Sequence, residues 1–178
     1  MYRKEYILQD HRMEYFPPLS KGAIMDWLVK SEQYYLRRFV KLLRAQEYYS
    51  FEKTNSFLKL YYTAKKNKLS AKLGLFIPAG CFGPDLKIAH YGSIIVNPHS
   101  RIGRGCTIHG NCCIGNKGIS SSENDSPVIG KDVNIGQGAQ ILGPVKIADG
   151  VIIAAGAIVV DNFLTEKAIV AGVPAKTI

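Results

Sequence analysis

A hydrophobic residue recurs every six positions through most of the second half of this chain. The series runs in two phases, separated by one longer step between positions 114 and 129. Its members are Val96, Ile102, Ile108, Ile114, Ile129, Ile135, Ile141, Ile147, Ile153 and Val159. A period of six matches neither an amphipathic helix nor a two-faced strand. It predicts a solenoid in which three hexapeptides form a triangular coil and residues eighteen apart stack.

A second column of small or β-branched residues supports the same phase. Its members are Ser100, Cys106, Cys112, Val133, Ala139, Val145, Val151 and Ala157, as a narrow interior corner requires. Glycine directly follows the first column at 103, 115, 130 and 136, where we expect tight corners with positive φ. The segment 116–127 is rich in Gly, Ser, Asn and Asp, so it predicts a polar surface loop.

The N-terminal part of the chain lacks this repeat and has helical spacing instead. Apolar residues three and four apart predict a helix from Ala23 to about Tyr49. Ser50 is the expected N-cap of a second helix that ends near Asn67. We therefore expect a helical region over residues 1–73, with an irregular start, and a β-helix domain with a C-terminal tail over residues 74–178.

The positive charge is concentrated in the helical part. Residues 1–70 carry 14 Lys/Arg against 7 Asp/Glu, whereas residues 71–178 carry 9 against 7. Such a surface is either simply solvated or attracts an anionic ligand or membrane. We expect no nucleic-acid partner, because no binding module or compact basic run is visible. Without a long apolar run or a signal-peptide pattern, we expect a cytoplasmic protein.

The four cysteines do not predict a metal site or a disulfide framework. Cys106 and Cys112 belong to the small interior column, where cysteine acts as a small hydrophobe. Cys113 alternates away from that column, and Cys81 lies in a loop-like stretch. No CxxC pair is present, so we expect no bound metal.

Several motifs between Leu75 and Ile178 together resemble the hexapeptide-repeat acyltransferases, in particular their serine acetyltransferase branch. The motifs are HYGSII at 90–95, IG at 102–103, IGNKG at 114–118, PVIG at 127–130, IGQGA at 135–139 and GVPAK at 172–176. The resemblance implies a left-handed parallel β-helix that forms a homotrimer. It also implies acetyl-CoA as co-substrate, bound between adjacent subunits.

Two histidines are the candidate catalytic residues. His90 falls where the family has its general base, which takes the proton of an acceptor hydroxyl. Counting back by six from Val96 also places His90 in the apolar column, although a hydrogen-bonded structural histidine is the alternative interpretation. His109 should lie beside His90, where it orients the acceptor or polarises the thioester, or else is a surface histidine.

The resemblance also implies a set of residues for the co-substrate. Gly136, Gln137 and Ala155 match positions whose backbone binds the pantetheine arm. Lys176 matches the cation that reaches the CoA phosphates, a task that suits a flexible ammonium group. Lys167 is a second candidate, because the family's other basic residue is missing after column position 159.

The acceptor site departs from the serine acetyltransferase pattern. No carboxylate stands near position 75, where the family pairs an Asp with its histidine, so Asp85 is our candidate to orient His90. Asp125 and Ser126 replace the Arg-His pair before the loop proline, and the reversed charge would repel a serine carboxylate. Asn116 and Lys117, at the start of the loop, complete the candidate substrate-binding residues.

These departures, with a shortened helical region, favour a sugar or glycan precursor as the acceptor, as in polysaccharide-biosynthesis O-acetyltransferases. The main alternative is serine O-acetylation in cysteine biosynthesis. An amino-sugar N-acetyltransferase and a non-catalytic solenoid scaffold also stay open.

Overall fold

The computed structural model describes residues 21–53, 55–118, 122 and 125–178, in two compact units. One unit ends at Leu73 and the other begins at Gly74. The predicted irregular start at 1–20, with His11, lies outside the described residues.

The first unit is helical, but its helix boundaries differ from the prediction. Its elements are α1 (Lys21–Val29), α2 (Glu32–Glu47), a π-helical turn (Tyr48–Glu52) and α3 (Ser56–Leu73). The expected single helix is divided at Lys30, which has a φ of 52°, and Ser31 Oγ caps α2 by accepting from the Tyr34 N–H at 3.2 Å.

Ser50 is not the N-cap of the last helix. The π-helical turn carries the preceding helical segment past it, and its hydroxyl donates to the Gln46 carbonyl at 2.7 Å. Asn55 has the capping contact instead, because its Oδ1 accepts from the Leu58 N–H at 3.0 Å.

The second unit is a left-handed parallel β-helix, as predicted. Its strands are β1 (Leu75–Phe76), β2 (Lys87–Ile88), β3 (Ile94–Val96), β4 (Arg101–Ile102), β5 (Thr107–Ile108), β6 (Cys113–Gly115), β7 (Val128–Ile129), β8 (Asn134–Ile135), β9 (Gln140–Leu142), β10 (Lys146–Ile147), β11 (Ile152–Ile153), β12 (Ile158–Val159), β13 (Ile169–Gly172) and β14 (Ala175–Thr177). Face A has the order β1-β3-β6-β9-β12, face B β4-β7-β10 and face C β2-β5-β8-β11-β13-β14. Only β13 and β14, among the described pairs, run antiparallel.

Both predicted columns form the core of the coils, and every member is buried. Ile135 pairs with Ile153 and Ile141 with Val159, the eighteen-residue stacking that the period predicts. Across the loop, Ile102 pairs with Ile129, so the loop adds nine residues to one coil without breaking the stack. Burying one such isoleucine stabilises the fold by about 1.5–3 kcal/mol.

The first coil has a different length, and the placement of His90 in the column is wrong. Ile88 pairs with Ile108, twenty residues later, and is buried at 2% exposure. Ile95 then pairs with Cys113, eighteen residues later. Two extra residues therefore lie between Ile88 and Ile95. They move His90 out of the core to an exposed position.

Three of the four glycines after the first column, Gly103, Gly130 and Gly136, are needed for close approach rather than for positive φ. A Cβ on Gly115 would meet only Cys113 Sγ, at 4.0 Å. The described glycines with positive φ include Gly105 and Gly138, but none of the four that we expected. A Cβ on Gly103 would lie 2.5 Å from the Gly130 carbonyl oxygen, and one on Gly136 would lie 2.7 Å from the Ala155 nitrogen. Backbone of the next coil thus occupies the space of a side chain.

The interior cysteines are neutral thiols at ordinary pH. Burial raises the pKa of the Cys106 thiol from 9.0 to about 11 and also raises the pKa of Cys112. Cys106 Sγ lies 3.2 Å from the Gly130 carbonyl oxygen, to which it donates. Among the described residues, no group of three or more His, Cys, Asp or Glu is arranged to hold a metal ion. No helix in those ranges is long and apolar enough to cross a membrane.

We expect Gly103→Ala to lower the free energy of unfolding by about 2 kcal/mol, because two coil backbones must separate to admit the methyl group. Gly118→Ala is the matched control, since a Cβ there meets nothing within 4 Å. Urea unfolding of both variants measures the difference. Equal stabilities would contradict the close-approach interpretation.

We also expect the stability to fall as pH rises from about 9 to 11, partly through Cys106. The unfolded thiol ionises first, so in this window the unfolded state binds fewer protons and gains stability. Cys106→Ala should remove up to about 1.4 kcal/mol per pH unit of this slope. Urea unfolding at several pH values gives the slope of the free energy of unfolding against pH for each protein. The cavity that Cys106→Ala leaves lowers stability equally at every pH, so it does not change this slope. An unchanged slope would rule out the buried thiol as the cause.

Candidate active site

The triangular coils have three corners, each a stack of short turns. The histidine corner joins face C to face A and comprises residues 89–93, 109–112, 136–139 and 154–157. The salt-bridge corner joins face B to face C and comprises residues 83–86, 103–106, 130–133 and 148–151. The loop corner joins face A to face B and includes the insertion at 116–127.

His90 and His109 lie next to each other on the histidine corner, as predicted. Their ring centroids are 6.4 Å apart with the planes tilted by 48°. The Ala89 N–H donates to the Ile108 carbonyl at 3.0 Å, and the His109 N–H donates to the Ile135 carbonyl at 3.1 Å. Backbone hydrogen bonds between coils therefore hold both residues in place. His90 is exposed and His109 is half-buried, so a substrate hydroxyl can reach the pair.

The two extra residues of the first coil create this exposure. They widen the turn that carries His90 and Tyr91, and Gly92 completes it with a φ of 138°. Tyr91 is 47% exposed and follows His90 directly, so it is a further candidate site residue, which the six-residue pattern did not indicate. The eight-residue step from Ile88 to Val96, in place of six, was the available signal.

The candidate co-substrate residues continue the same corner in later coils. Gly136 and Gln137 lie one coil beyond His109, and Ala155 lies one coil further, where the Gly156 N–H donates to the Gln137 carbonyl at 2.8 Å. At about 4.8 Å per coil, Ala155 is roughly 14 Å along the corner from His90. Within the described ranges, no backbone carbonyl accepts from the N–H groups of Gln137 and Ala155. Both residues are exposed, so these donors can face a ligand.

The two candidate lysines lie in different places. Lys176 is opposite Ala171 in the terminal hairpin, and the Val170 carbonyl accepts from the Ala154 N–H, so the hairpin extends the sheet beside the histidine corner. Lys167 instead has its N–H bonded to the Asp149 carbonyl on the salt-bridge corner. The structure thus brings Lys176, but not Lys167, to the side of the coil that carries the histidines.

Asp85 lies on the salt-bridge corner, which strand β2 separates from the corner of His90. It is 5% exposed, and its Oδ2 accepts from Arg104 Nη2 at 2.8 Å. The backbone at Asp85 has a φ of 65°. Its evident role is to pair with Arg104 of the next coil; orientation of His90 by Asp85 stays a prediction.

The candidate acceptor residues all lie on the loop corner, across face A from the histidines. The stem of Lys117 passes over the backbone of Gly143. Asp125 Oδ2 accepts from the Ser122 N–H at 2.6 Å within the loop. Ser126 is buried, and its hydroxyl lies 3.3 Å from Asn97 Oδ1, to which it donates. The structure therefore does not bring Asn116, Lys117, Asp125 and Ser126 together with His90 inside one chain.

The remaining described histidine, His99, is half-buried on the loop corner. The His99 N–H donates to Asn97 Oδ1 at 2.9 Å. At the start of β9, beside the histidine corner, Gln140 Nε2 donates to the carbonyls of Gly138 at 3.1 Å and Asn111 at 3.3 Å. Gln140 thus links two coils beside the candidate site, a role that its place outside the column did not indicate.

Comparisons with known proteins show what this chain is similar to. Residues 126–161 match the family model described as bacterial transferase hexapeptide (six repeats). The serine acetyltransferase of Buchnera aphidicola from Schizaphis graminum is 36% identical over 104 residues, which are 57% of this chain and 38% of that protein. The homologue from the Acyrthosiphon pisum strain is 28% identical over 175 residues, covering 90% of this chain and 64% of that protein.

Among solved structures, a serine acetyltransferase in complex with CoA superposes with a TM-score of 0.66 at 24% identity. The match covers 81% of this chain and 57% of that chain. The chain spans between about one third and two thirds of the length of these relatives. It therefore contains the hexapeptide repeat of bacterial transferases and has the fold of the solved serine acetyltransferases.

Proposed function

We propose that this chain is an acetyl-CoA-dependent O-acetyltransferase with His90 as its general base and L-serine as its acceptor. The proposal rests on the line of side-chain and backbone groups along the histidine corner. The exposed His90 and the half-buried His109 begin a line that continues through the backbone N–H groups of Gln137 and Ala155. A thioester at the histidine end and a pantetheine arm along the corner fit this arrangement.

The reaction requires one proton transfer in each direction. His90 takes the proton of the serine hydroxyl as the oxygen attacks the thioester carbonyl. Backbone N–H groups stabilise the resulting oxyanion. When the intermediate collapses, the C–S bond breaks and the imidazolium returns the proton to the sulfur, giving O-acetylserine and free CoA. His109, 6.4 Å from His90 between ring centroids, orients the acceptor or polarises the carbonyl.

Acetyl-CoA as co-substrate is supported by the same corner and by the comparisons. The backbone N–H groups of Gln137 and Ala155 would donate to the amide carbonyls of the arm. Lys176 extends from the terminal hairpin as a cation for the phosphates. One of the similar solved structures is named as a complex with CoA.

The acceptor proposal changes from the sugar expected from the sequence to serine. All six curated relatives that we compared are named serine acetyltransferase. The objection from Asp125 and Ser126 is also weaker, because both side chains make hydrogen bonds that stabilise the loop. The sugar alternative is still favoured by one observation: neither Leu75 nor Phe76, where the resemblance places the family's histidine-orienting Asp, is a carboxylate.

A homotrimer would complete the site. In the family that this chain resembles, the loop leans over the active site of a neighbouring subunit. Here the loop and the histidines lie on different corners, so a neighbour can supply the loop that one chain does not bring to its own His90. Lys117 is then a cation available to the serine carboxylate.

We expect His90→Ala to reduce kcat by at least roughly 10²-fold, because the hydroxyl loses its base. His109→Ala should have a smaller effect. Release of free CoA thiol measures turnover, and isothermal titration with CoA checks that binding is retained. His99→Ala, on the loop corner, is the control and should keep normal turnover. Near-normal turnover of His90→Ala would reject the assignment.

The acceptor can be identified in the same assay. L-serine should release CoA at a higher kcat/KM than N-acetylglucosamine, glucose or glucosamine at matched concentrations. Mass spectrometry of the product identifies the acetylated atom. A sugar preference would restore the polysaccharide interpretation. Failure to bind CoA at all would instead support a scaffold without activity.

We expect Lys176→Ala to raise the KM for acetyl-CoA by about tenfold, because a charge-assisted contact to phosphate is lost. Lys146→Ala, an exposed lysine on face B, is the matched control and should leave the KM unchanged. Acetyl-pantetheine lacks the nucleotide phosphates, so its KM should be the same in both variants. A selective effect on acetyl-pantetheine would contradict the phosphate role.

A further inference from the structure

Helix α3 has an unusual distribution of its side chains. Phe57, Leu60 and Tyr61 are 77%, 69% and 47% exposed to solvent. Lys66 and Ser70 are buried on the opposite side, at 7% and 9%. A helix of a water-soluble unit normally buries its apolar residues and exposes its lysines. The other four lysines of α3 are exposed as expected, so its unusual features are the buried Lys66 and the exposed apolar side. The exposed apolar side indicates a function outside the unit.

The exposed apolar residues form one stripe. Phe57, Leu60, Tyr61 and Ala64 follow the spacing i, i+3, i+4 and i+7, so they share one side of the helix. We call these four residues the apolar strip. All four are exposed, in contrast to the buried Leu73 at the end of the same helix. A contiguous exposed apolar surface of this kind is typical of an interaction site.

Helix α3 itself carries lysines but no acidic residue beside the apolar strip. Helix α3 contains five lysines and no Asp or Glu. Lys68 continues the strip one turn further, and Lys65 and Lys72 lie on the same half of the helix. Lys65 Nζ is 5.4 Å from the centre of the Tyr61 ring. A partner of this surface must therefore combine an apolar region, into which the side chains can insert, with negative charge.

Helix α1 has the same composition of exposed groups. Five of its large apolar side chains are between 48% and 63% exposed: Ile24, Met25, Trp27, Leu28 and Val29. Lys30 Nζ lies 4.3 Å from the centre of the Trp27 ring. Tryptophan beside lysine suits a boundary between water and an apolar phase, because both have an apolar body and a polar end.

We propose that the helical unit binds the surface of a membrane containing anionic lipids through the apolar strip and its lysines. Residues 21–73 carry twelve Lys/Arg against four Asp/Glu, a net charge of +8. A second copy would bring the same charge to the contact and repel it, whereas anionic headgroups complement it. A helix side with exposed aromatic and aliphatic groups beside lysines suits the interface of a bilayer, with the rings at the headgroup level. This inference is independent of the proposed acetyl transfer.

Vesicle flotation with the full chain tests the proposal. We expect the protein to float with vesicles of phosphatidylcholine and about one third phosphatidylglycerol, and to remain unbound with phosphatidylcholine alone. Added salt should weaken the binding, because it screens the lysines. No binding to the anionic vesicles, or equal binding to the neutral ones, would overturn the proposal.

Paired variants locate the contact. Leu60→Ser should weaken the partition to anionic vesicles by about tenfold. Leu164→Ser is its control, because Leu164 is 70% exposed in the other unit, against 69% for Leu60. Lys68→Glu should weaken binding at least about fivefold, whereas Lys146→Glu should not. Circular dichroism checks that each variant keeps its helices.

The remaining outcomes reject the membrane assignment. Equal effects of Leu60→Ser and Leu164→Ser would show that the apolar strip is not the contact. Unchanged vesicle binding, with loss of a larger assembly in sedimentation velocity for Leu60→Ser, would show that another copy covers the strip. Binding of an acidic protein to the apolar strip, without any binding to vesicles, would likewise show that the partner is a protein and not a lipid surface.

Discussion

Close approach between the backbones of successive coils is the constraint on which the solenoid depends. Each coil donates and accepts hydrogen bonds along its strands, as when the Gly136 N–H reaches the Ile153 carbonyl at 2.8 Å. At Gly103 and Gly136 the next coil leaves no space for a Cβ. The column residues can pack on one another only because these turns let the coils come so close. Hydrophobic burial and backbone pairing thus require the same spacing.

The candidate site follows from a local departure from that regularity. Two extra residues in the first coil cannot enter the filled interior, so they widen the turn and leave His90 in solvent. Backbone hydrogen bonds to the next coil still hold Ala89 and His109 at fixed positions along the stack. A rigid stack therefore presents a histidine pair on an otherwise regular corner. The proposed general-base chemistry uses this combination of fixed position and access, which a histidine inside the column would lack.

The helical unit buries a smaller share of its apolar side chains than the solenoid does. Its core of Leu36, Phe39, Val40 and Leu43 is small, and it also buries an Arg44–Glu47 ion pair at 2.8 Å. Several of its aromatic and aliphatic side chains remain outside. The proposed membrane surface accounts for this distribution, since exposed apolar groups beside lysines are favourable at an anionic interface. Acetyl transfer and surface attachment would then belong to separate units of the chain.

The sequence by itself determined the repeat, the core columns and the position of the loop, because a six-residue period fixes which side chains point inward. It also indicated that His90 and His109 are neighbours. The tertiary structure decided the register of the first coil, since the pairing of Ile88 with Ile108 shows that Ile88, and not His90, precedes Val96 in the column. It also decided that Asp85 pairs with Arg104, that Ser126 is buried, and that α3 exposes its aromatic side. These depend on contacts between distant residues, which spacing along the chain does not encode.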